Sequence, residues 1–420
     1  MKNFLFFLIF LIFCSSSRLM ATEGYYKDLF VDGGIYLTER SSLYAADYLG
    51  LSMEYLATET QSIQDQLIIS NTNDDNGVLL YPDGEPRFRC IQINGGAATG
   101  HGNSLGSQGR ERIRDFYFHG GSYTGTCAGA FVVCNGFDDY DRTAYLHIWP
   151  ARAKNTTFSN IYTGHFIPSD SPLLNYYDFG DDLYIDNVRH NSGCYTIEDD
   201  SVFWTPGTEA LLRYDYPSGV NIHNNVSCWA YKGDVVQGRL VAIGSHPEGE
   251  SSGEKRDLMA AILSYAIDGN GLPDFKASLE NGIPWEMNDN NVSGHEKIGD
   301  KQYHHFKIDL PSNIKQLTVS IDGEDSYDLD MFLKKGDFAF RGDPEVIEAE
   351  NNTSADETIN IDNPSAGEWY IGVKCYTTVD TTEESWGYSY SGDVEVLNGI
   401  EYTITAEYEL SEGSTYWIIY

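Results

Sequence analysis

The sequence predicts an α/β domain with a mainly parallel sheet, followed by an all-β sandwich. From Asp28 to about Asp268, apolar runs of strand length alternate with amphipathic helical stretches. Past Gly271 the alternation stops, and short β-branched and aromatic runs recur roughly every ten residues between turn residues such as Asp322-Gly323 and Asn363-Pro364. Charge breaks in the same region: from Ser278 onward there are 29 Asp plus Glu against 8 Lys plus Arg.

Each element follows from its residues. Met1-Lys2-Asn3 precedes an unbroken apolar run at 4–13 and a small-residue exit at Ala21, which reads as a secretory signal over 1–21. The run is shorter than the roughly 20 residues a bilayer requires. No later segment is apolar enough to span one, so a secreted, extracytoplasmic protein is expected. Leu29-Phe30-Val31 reads as a strand, followed by Gly33-Gly34 and a helix from Ser42. Residues 66–70 and 89–93 read as strands, the second running into Asn94-Gly95-Gly96. A helix is expected over 110–119, with Ile113, Phe116 and Tyr117 on one face and Gly120-Gly121 stopping it. A strand then climbs through Tyr123 to Cys127, and the compact apolar stretch 128–133 suits a helix leaving the turn. Residues 239–245 form a buried-strand pattern and 254–267 an amphipathic helix. The stretch 138–233, rich in Tyr, Asn, Asp and Gly, reads as strands and long loops. The first domain is therefore placed at 22–270, a linker and the start of the second module at 271–295, and the sandwich at 296–420.

Composition excludes some partners. A net charge of −36 argues against nucleic acid and anionic membrane surfaces, which demand basic patches. Of seven cysteines, six remain beyond the signal: Cys90, Cys127, Cys134, Cys194, Cys228 and Cys375. Export permits disulfides; Cys194 with Cys228 is the first pairing to try, Cys375 the leftover, and the connectivity stays open. There is no C-x-x-C and no His-Cys cluster, so no structural zinc is expected.

Two short motifs carry the chemistry. Cys127 sits in Gly125-Thr126-Cys127-Ala128-Gly129, and His246 opens His246-Pro247-Glu248, each at the end of a strand-like run. A thiol on a Gly-x-Cys-x-Gly turn, with a His and a Glu two residues apart, has the parts of a nucleophile, base and orienter. A turn at a helix N-terminus and a nearby imidazole both favour thiolate. The Ala128 N–H and the Gly95-Gly96 turn would supply an oxyanion hole, glycine allowing close approach. Catalysis by Cys127, His246 and Glu248 is the expectation.

The stretch Gly121-Ser122-Tyr123-Thr124-Gly125-Thr126-Cys127-Ala128-Gly129-Ala130, with Gly244-Ser245-His246-Pro247-Glu248, resembles the class I glutamine amidotransferase superfamily. Within it, Cys-Ala-Gly-Ala with Gly95-Gly96 upstream is closest to the biotin–protein ligase amino-terminal domain group. The resemblance covers roughly 27–268 and implies a flavodoxin-like α/β fold with a Cys–His–Glu triad. Glutamine-hydrolysing members usually carry Gln where this chain has Phe131, which argues against glutamine as substrate. Leu279-Glu280-Asn281-Gly282-Ile283-Pro284, Tyr327-Asp328-Leu329-Asp330-Met331-Phe332-Leu333 and Asn363-Pro364-Ser365-Ala366-Gly367-Glu368-Trp369-Tyr370 resemble the bacterial pre-peptidase C-terminal domain. That resemblance implies a β-sandwich accessory for export or for docking to a surface or polymer.

The leading expectation is a secreted cysteine hydrolase that takes a small-molecule amide or peptide through a thioester and requires no cofactor. The alternative is a catalytically silent exported binding or scaffold protein; a true glutaminase is a weaker third. Asp322, Glu324, Asp325, Asp328 and Asp330 crowd one loop and strand and could hold a structural Ca²⁺, although a solvated acidic turn explains them as well. His101 could line the site, His119 suits a helix C-terminus, and His304-His305 reads as a surface strand start. Trp369 and Tyr370 read as sandwich core.

Overall fold

The computed structural model describes residues 23–32, 43–56, 68, 75–216, 222–349 and 353–411. The signal expected at 1–21, Gly33-Gly34, Ser42 and the strand expected at 66–70 (Ile68 excepted) lie outside the described residues. Ahead of Gly271 the strands are β1 (Lys27–Asp32), β2 (Met53–Leu56), β3 (Phe88–Ile93), β4 (Ser122–Thr126), β5 (Cys134–Phe137), β6 (Tyr140–Asp141), β7 (Trp149–Asn155), β8 (Ile161–Phe166), β9 (Tyr184–His190), β10 (Cys194–Tyr195), β11 (Thr208–Asp215), β12 (Val226–Tyr231) and β13 (Leu240–Ile243). The helices among them are α1 (Tyr44–Leu49), α2 (Ala98–Ser104), α3 (Gly106–Phe118), α4 (Ala128–Val132) and α5 (Gly253–Ile267).

Nine strands form one sheet in the order β2-β1-β3-β4-β13-β12-β11-β8-β9. The first five are mutually parallel. The last four add antiparallel. The expected mainly parallel sheet is thus a mixed one, and the reason lies in the connections. A parallel neighbour needs a long crossover, usually a helix, whereas a hairpin or short link returns antiparallel. Among the described residues no α-helix lies between β5 and β13, so that stretch builds the antiparallel half and the small sheet β10-β7-β5-β6.

Every residue of β3, β4 and β13 is buried, as befits strands covered on both faces. On one face Leu258, Ala261 and Ile262 of α5 pack with Leu29, Val31, Val241 and Ile243. On the other, Phe30, Ile91 and Tyr123 pack with Ile113 and Phe116 of α3. This division corrects the disulfide expectation. Cys194 belongs to the second cluster and Cys228 to the first, and all six described cysteines are free.

The remaining strands are β14 (Phe275–Ser278), β15 (Trp285–Met287), β16 (Tyr303–Leu310), β17 (Ile314–Gly323), β18 (Leu329–Lys335), β19 (Ile347–Glu348), β20 (Glu357–Asp362), β21 (Gly367–Cys375), β22 (Asp380–Glu384), β23 (Gly387–Ser391) and β24 (Tyr402–Leu410). They form a sandwich of β14-β16-β21-β18-β19 against β15-β24-β17-β20, plus the hairpin β22-β23. Phe306, Ile308, Leu317, Val319, Leu333, Ile371 and Ile404 belong to its core. The stretch at 271–295 supplies one edge strand to each sheet. Trp369 is buried as expected, but Tyr370 is half-buried on the outer face beside Phe275.

The two units are joined by buried charge. Arg87 donates to both oxygens of Asp300 at 3.1 and 3.2 Å, with each side chain only 1% exposed. The hairpin β22-β23 lies against the edge strand β2, where the Tyr55 hydroxyl donates to the Glu384 carbonyl at 3.1 Å. An edge strand covered in this way is protected from unwanted pairing. His304 and His305 face this junction and are buried, which corrects the surface expectation; His304 Nδ1 lies 3.0 Å from the Tyr402 hydroxyl.

Candidate active site

Register brings the two motifs together. β4 pairs with β13 so that Thr126 lies opposite Ile243, and the Cys127 N–H donates to the Ile243 carbonyl at 2.9 Å. Both strands therefore end at one edge, Cys127 one residue beyond the ladder and His246 three beyond. Cys127 has φ 48° and ψ −100°, a left-handed conformation that costs a non-glycine residue of order 1–3 kcal/mol and recurs where a nucleophile is presented on a sharp turn. Small neighbours permit the turn: a Cβ on Gly129 would meet the Ile93 carbonyl oxygen at 2.1 Å, and one on Gly125 would meet Gly129 at 2.6 Å. The helix leaving the turn, α4, has only five residues, so its dipole is small.

The imidazole is held from two sides. His246 Nδ1 lies 2.8 Å from Glu248 Oε1. A carboxylate only accepts, so Nδ1 carries a hydrogen and Nε2 is left to face the thiol. Nε2 is buried and makes no completed hydrogen bond of its own. Burial works against charge on the ring, but the Cys127 sulfur in its thiolate form and the Glu248 carboxylate outweigh it and hold His246 up at about 10. Behind the ring, a Cβ on Gly95 would stand 2.3 Å from His246 Cε1 and 3.4 Å from Cys127 Cβ. The turn after β3 thus presses on both motifs, and the Gly129 N–H donates to Asn94 O at 3.2 Å.

A third wall comes from the stretch 138–233, which by sequence reads as strands and long loops. The Cys127 thiol donates to the Asn191 carbonyl at 3.6 Å, and the His246 N–H donates to the Arg189 carbonyl at 2.8 Å. Gly193 and Gly244 let this wall close: a Cβ on Gly193 would meet the Gly244 carbonyl oxygen at 1.7 Å. Cys127 is consequently 5% exposed. The glycine pair was the available signal for Asn191; its partner across the fold was not visible in one dimension.

His101 Nε2 lies 3.0 Å from Asp32 Oδ2 at the end of β1. His119 caps α3 as expected, its Nδ1 2.8 Å from the Asp115 carbonyl oxygen. Phe131 is buried and packs edge-on against Phe137 at 5.5 Å. Among the described residues no three His, Cys, Asp or Glu side chains are placed to hold a metal ion, the acidic run 322–330 included. No helix among them is long and apolar enough to cross a membrane.

The family described as bacterial pre-peptidase C-terminal domain matches residues 302–374, inside the sandwich. A solved glutamine amidotransferase is similar at 14% identity, covering 56% of this chain and 98% of its own, with a TM-score of 0.36. A ThuA-like protein from Bacteroides uniformis is similar at 12% identity over 59% of this chain and 95% of its own, with a TM-score of 0.35. The pre-peptidase C-terminal domain of a collagenase from Bacillus anthracis is 13% identical over 33% of this chain and 100% of its own, with a TM-score of 0.20. The comparison with curated proteins gave no match.

Proposed function

We propose that the chain is an exported cysteine-dependent hydrolase of an amide or peptide bond. One observation carries the reading: Glu248 occupies Nδ1 of His246, leaving Nε2 for the thiol that the left-handed Cys127 turn presents. Cys127 is the nucleophile, His246 the proton carrier and Glu248 the group that fixes its tautomer. The thiol proton passes to Nε2, and sulfur adds to the carbonyl carbon. The tetrahedral oxyanion is met by N–H groups of Ala128 and the Gly95-Gly96 turn. As the C–N bond breaks, the imidazolium protonates the leaving amine, giving a thioester. Water, deprotonated by His246, then releases the acid and restores the thiol.

The parallel order β2-β1-β3-β4-β13 supports a flavodoxin-like reading, in which ligands bind beyond the carboxyl ends of the strands. Cys127 and His246 lie at those ends. Affinity to the biotin–protein ligase group rests on the sequence motifs alone. Phe131 speaks against glutamine. The N-terminal signal pattern and the pre-peptidase C-terminal match at 302–374 support export, with the sandwich docking the enzyme to a surface or polymer.

A screen of wild type against Cys127→Ala over amide and peptide libraries tests the reading. Turnover by wild type that the variant loses supports it; turnover surviving in Cys127→Ala sinks it. The second reading, a silent binding protein, is favoured by the Asn191 carbonyl lying against the sulfur. It predicts slow, uniform alkylation of the thiols by iodoacetamide, whereas the hydrolase predicts fast alkylation of Cys127 that His246→Ala slows.

A further inference from the structure

Behind the Cys127 wall lies a chain of buried polar groups with no part in the proposed chemistry. Thr156 Oγ1 donates to the Gly193 carbonyl at 2.8 Å and lies 2.6 Å from His190 Nε2. His190 Nδ1 is 3.3 Å from Ser245 Oγ, Ser245 Oγ is 3.2 Å from His165 Nε2, and His165 Nδ1 is 2.7 Å from Ser227 Oγ. All five side chains belong to buried residues.

The Gly193 carbonyl accepts both the Thr156 N–H at 3.0 Å and the Thr156 hydroxyl, and with the hydroxyl hydrogen placed there every member of the chain is satisfied in one direction. The single hydrogen of Thr156 goes to Gly193, so His190 Nε2 must donate to Thr156. His190 Nδ1 then accepts, and because the Tyr214 hydroxyl spends its own hydrogen on the Cys194 carbonyl at 2.9 Å, the donor is Ser245. Ser245 in turn accepts from His165 Nε2, and His165 Nδ1 accepts from Ser227. Both rings must be neutral, and burial holds His190 down at about 4 and His165 at about 3. Directed chains of this kind hold their end groups more firmly than isolated bonds do. One end is the Gly193 carbonyl, two residues from Asn191. Another member, Ser245, immediately precedes His246.

We infer that His190 is a positioning residue for the Cys127 centre: the chain Ser227–His165–Ser245–His190–Thr156–Gly193 fixes the wall that sets the Asn191 carbonyl against the thiol. This rests on Cys127 being the reacting group proposed above. The consequence is regulatory. A carbonyl oxygen accepts from a thiol but opposes a thiolate, so a variant that frees the wall to move away should favour ionisation of the sulfur. Among the described residues, the titratable groups around the sulfur include His246 with Glu248 behind it, and Cys194 and Tyr214 from β10 and β11. His190 is neutral and acts through the wall.

The test is a pH titration of the Cys127 thiolate by its ultraviolet absorbance, taken as the difference from Cys127→Ala. The five other thiols among the described residues do not intrude, because burial pushes each of them well up. Thr156→Val, nearly isosteric, and His190→Ala both cut the chain. Their midpoints should fall by ~0.5 pH unit or more as the carbonyl is released. His190→Gln, whose amide can still donate to Thr156, should stay nearer the wild-type midpoint than His190→Ala. Midpoints of Thr156→Val and His190→Ala equal to or above wild type overturn the inference, even if both variants melt earlier. The measurement needs no turnover, so its failure is distinct from that of the hydrolase reading, which Cys127→Ala decides.

Discussion

The α-hydrogen of Gly95 points at His246, and a methyl group there would overlap Cε1 at 2.3 Å. Gly95 is therefore the steric floor under the imidazole. Gly95→Ala should displace the ring and lower kcat/KM by about 10²-fold, the usual consequence of an ~1 Å misplacement. Steady-state kinetics on a substrate found in the screen, with circular dichroism to confirm folding, checks this. Activity within a few-fold of wild type would show that the ring is not where catalysis needs it.

Glu248 sets both the tautomer and the charge of His246. Glu248→Gln keeps the shape but lets the ring rotate or switch its hydrogen, and the rate should fall by about 10²–10⁴-fold. NMR of the His246 ring should show its titration midpoint falling from about 10.

The sign of the accompanying stability change is fixed. Because the folded value lies above the ordinary 6.5, the stability His246 contributes is fully present below about 6.5 and lost as pH rises through about 10. Denaturant unfolding of wild type and Glu248→Gln across that window should converge at its alkaline end.

His165 and His190 act in the opposite direction. Burial depresses both, to about 3 and about 4, so their contribution is intact above 6.5 and is lost on acidification. Between 6.5 and about 4 each neutral ring should make stability fall by about 1.4 kcal/mol per pH unit. His165→Gln should flatten that slope by one ring's share. An unchanged slope would mean that the rings protonate as freely when folded as when unfolded.

Arg87 and Asp300 tie the two units together from positions buried away from the surface. Arg87→Met leaves a carboxylate buried without its partner and should cost about 3–5 kcal/mol, while the double variant with Asp300→Leu should recover much of that. Urea unfolding of the single and double variants measures the difference. For the same reason, a chain ending near residue 270 exposes Arg87 and the edge strand β2, and should aggregate or melt well below the full-length protein.

Local pattern was enough for much of this. Continuous apolar runs at 89–93 and 239–245 marked β3 and β13, and the spacing of Ile113, Phe116 and Tyr117 marked α3. The sandwich strands emerged from even spacing and turn residues. Cys127 and His246 stood out because each ended a run in a motif of small or polar residues. What local pattern missed lies between β5 and β13. Hairpin-linked strands of mixed polarity have no helical crossover to announce them, so β8, β9, β11 and β12 joined the main sheet antiparallel without warning. His304-His305 looked exposed because nothing in one dimension shows that a second unit covers them.

By itself, the sequence determined which residues could do chemistry and roughly where each strand and helix lies, because those depend on side-chain type and on periods of two and 3.6 residues. Tertiary structure alone decided that Asn191 faces the thiol, that His190 and Ser245 stand behind it, and that Arg87 meets Asp300 across the junction. Those contacts join residues tens to hundreds of positions apart. Their geometry is set by strand order and by backbone approaches at Gly95, Gly193 and Gly244, which exist only once the chain has closed on itself.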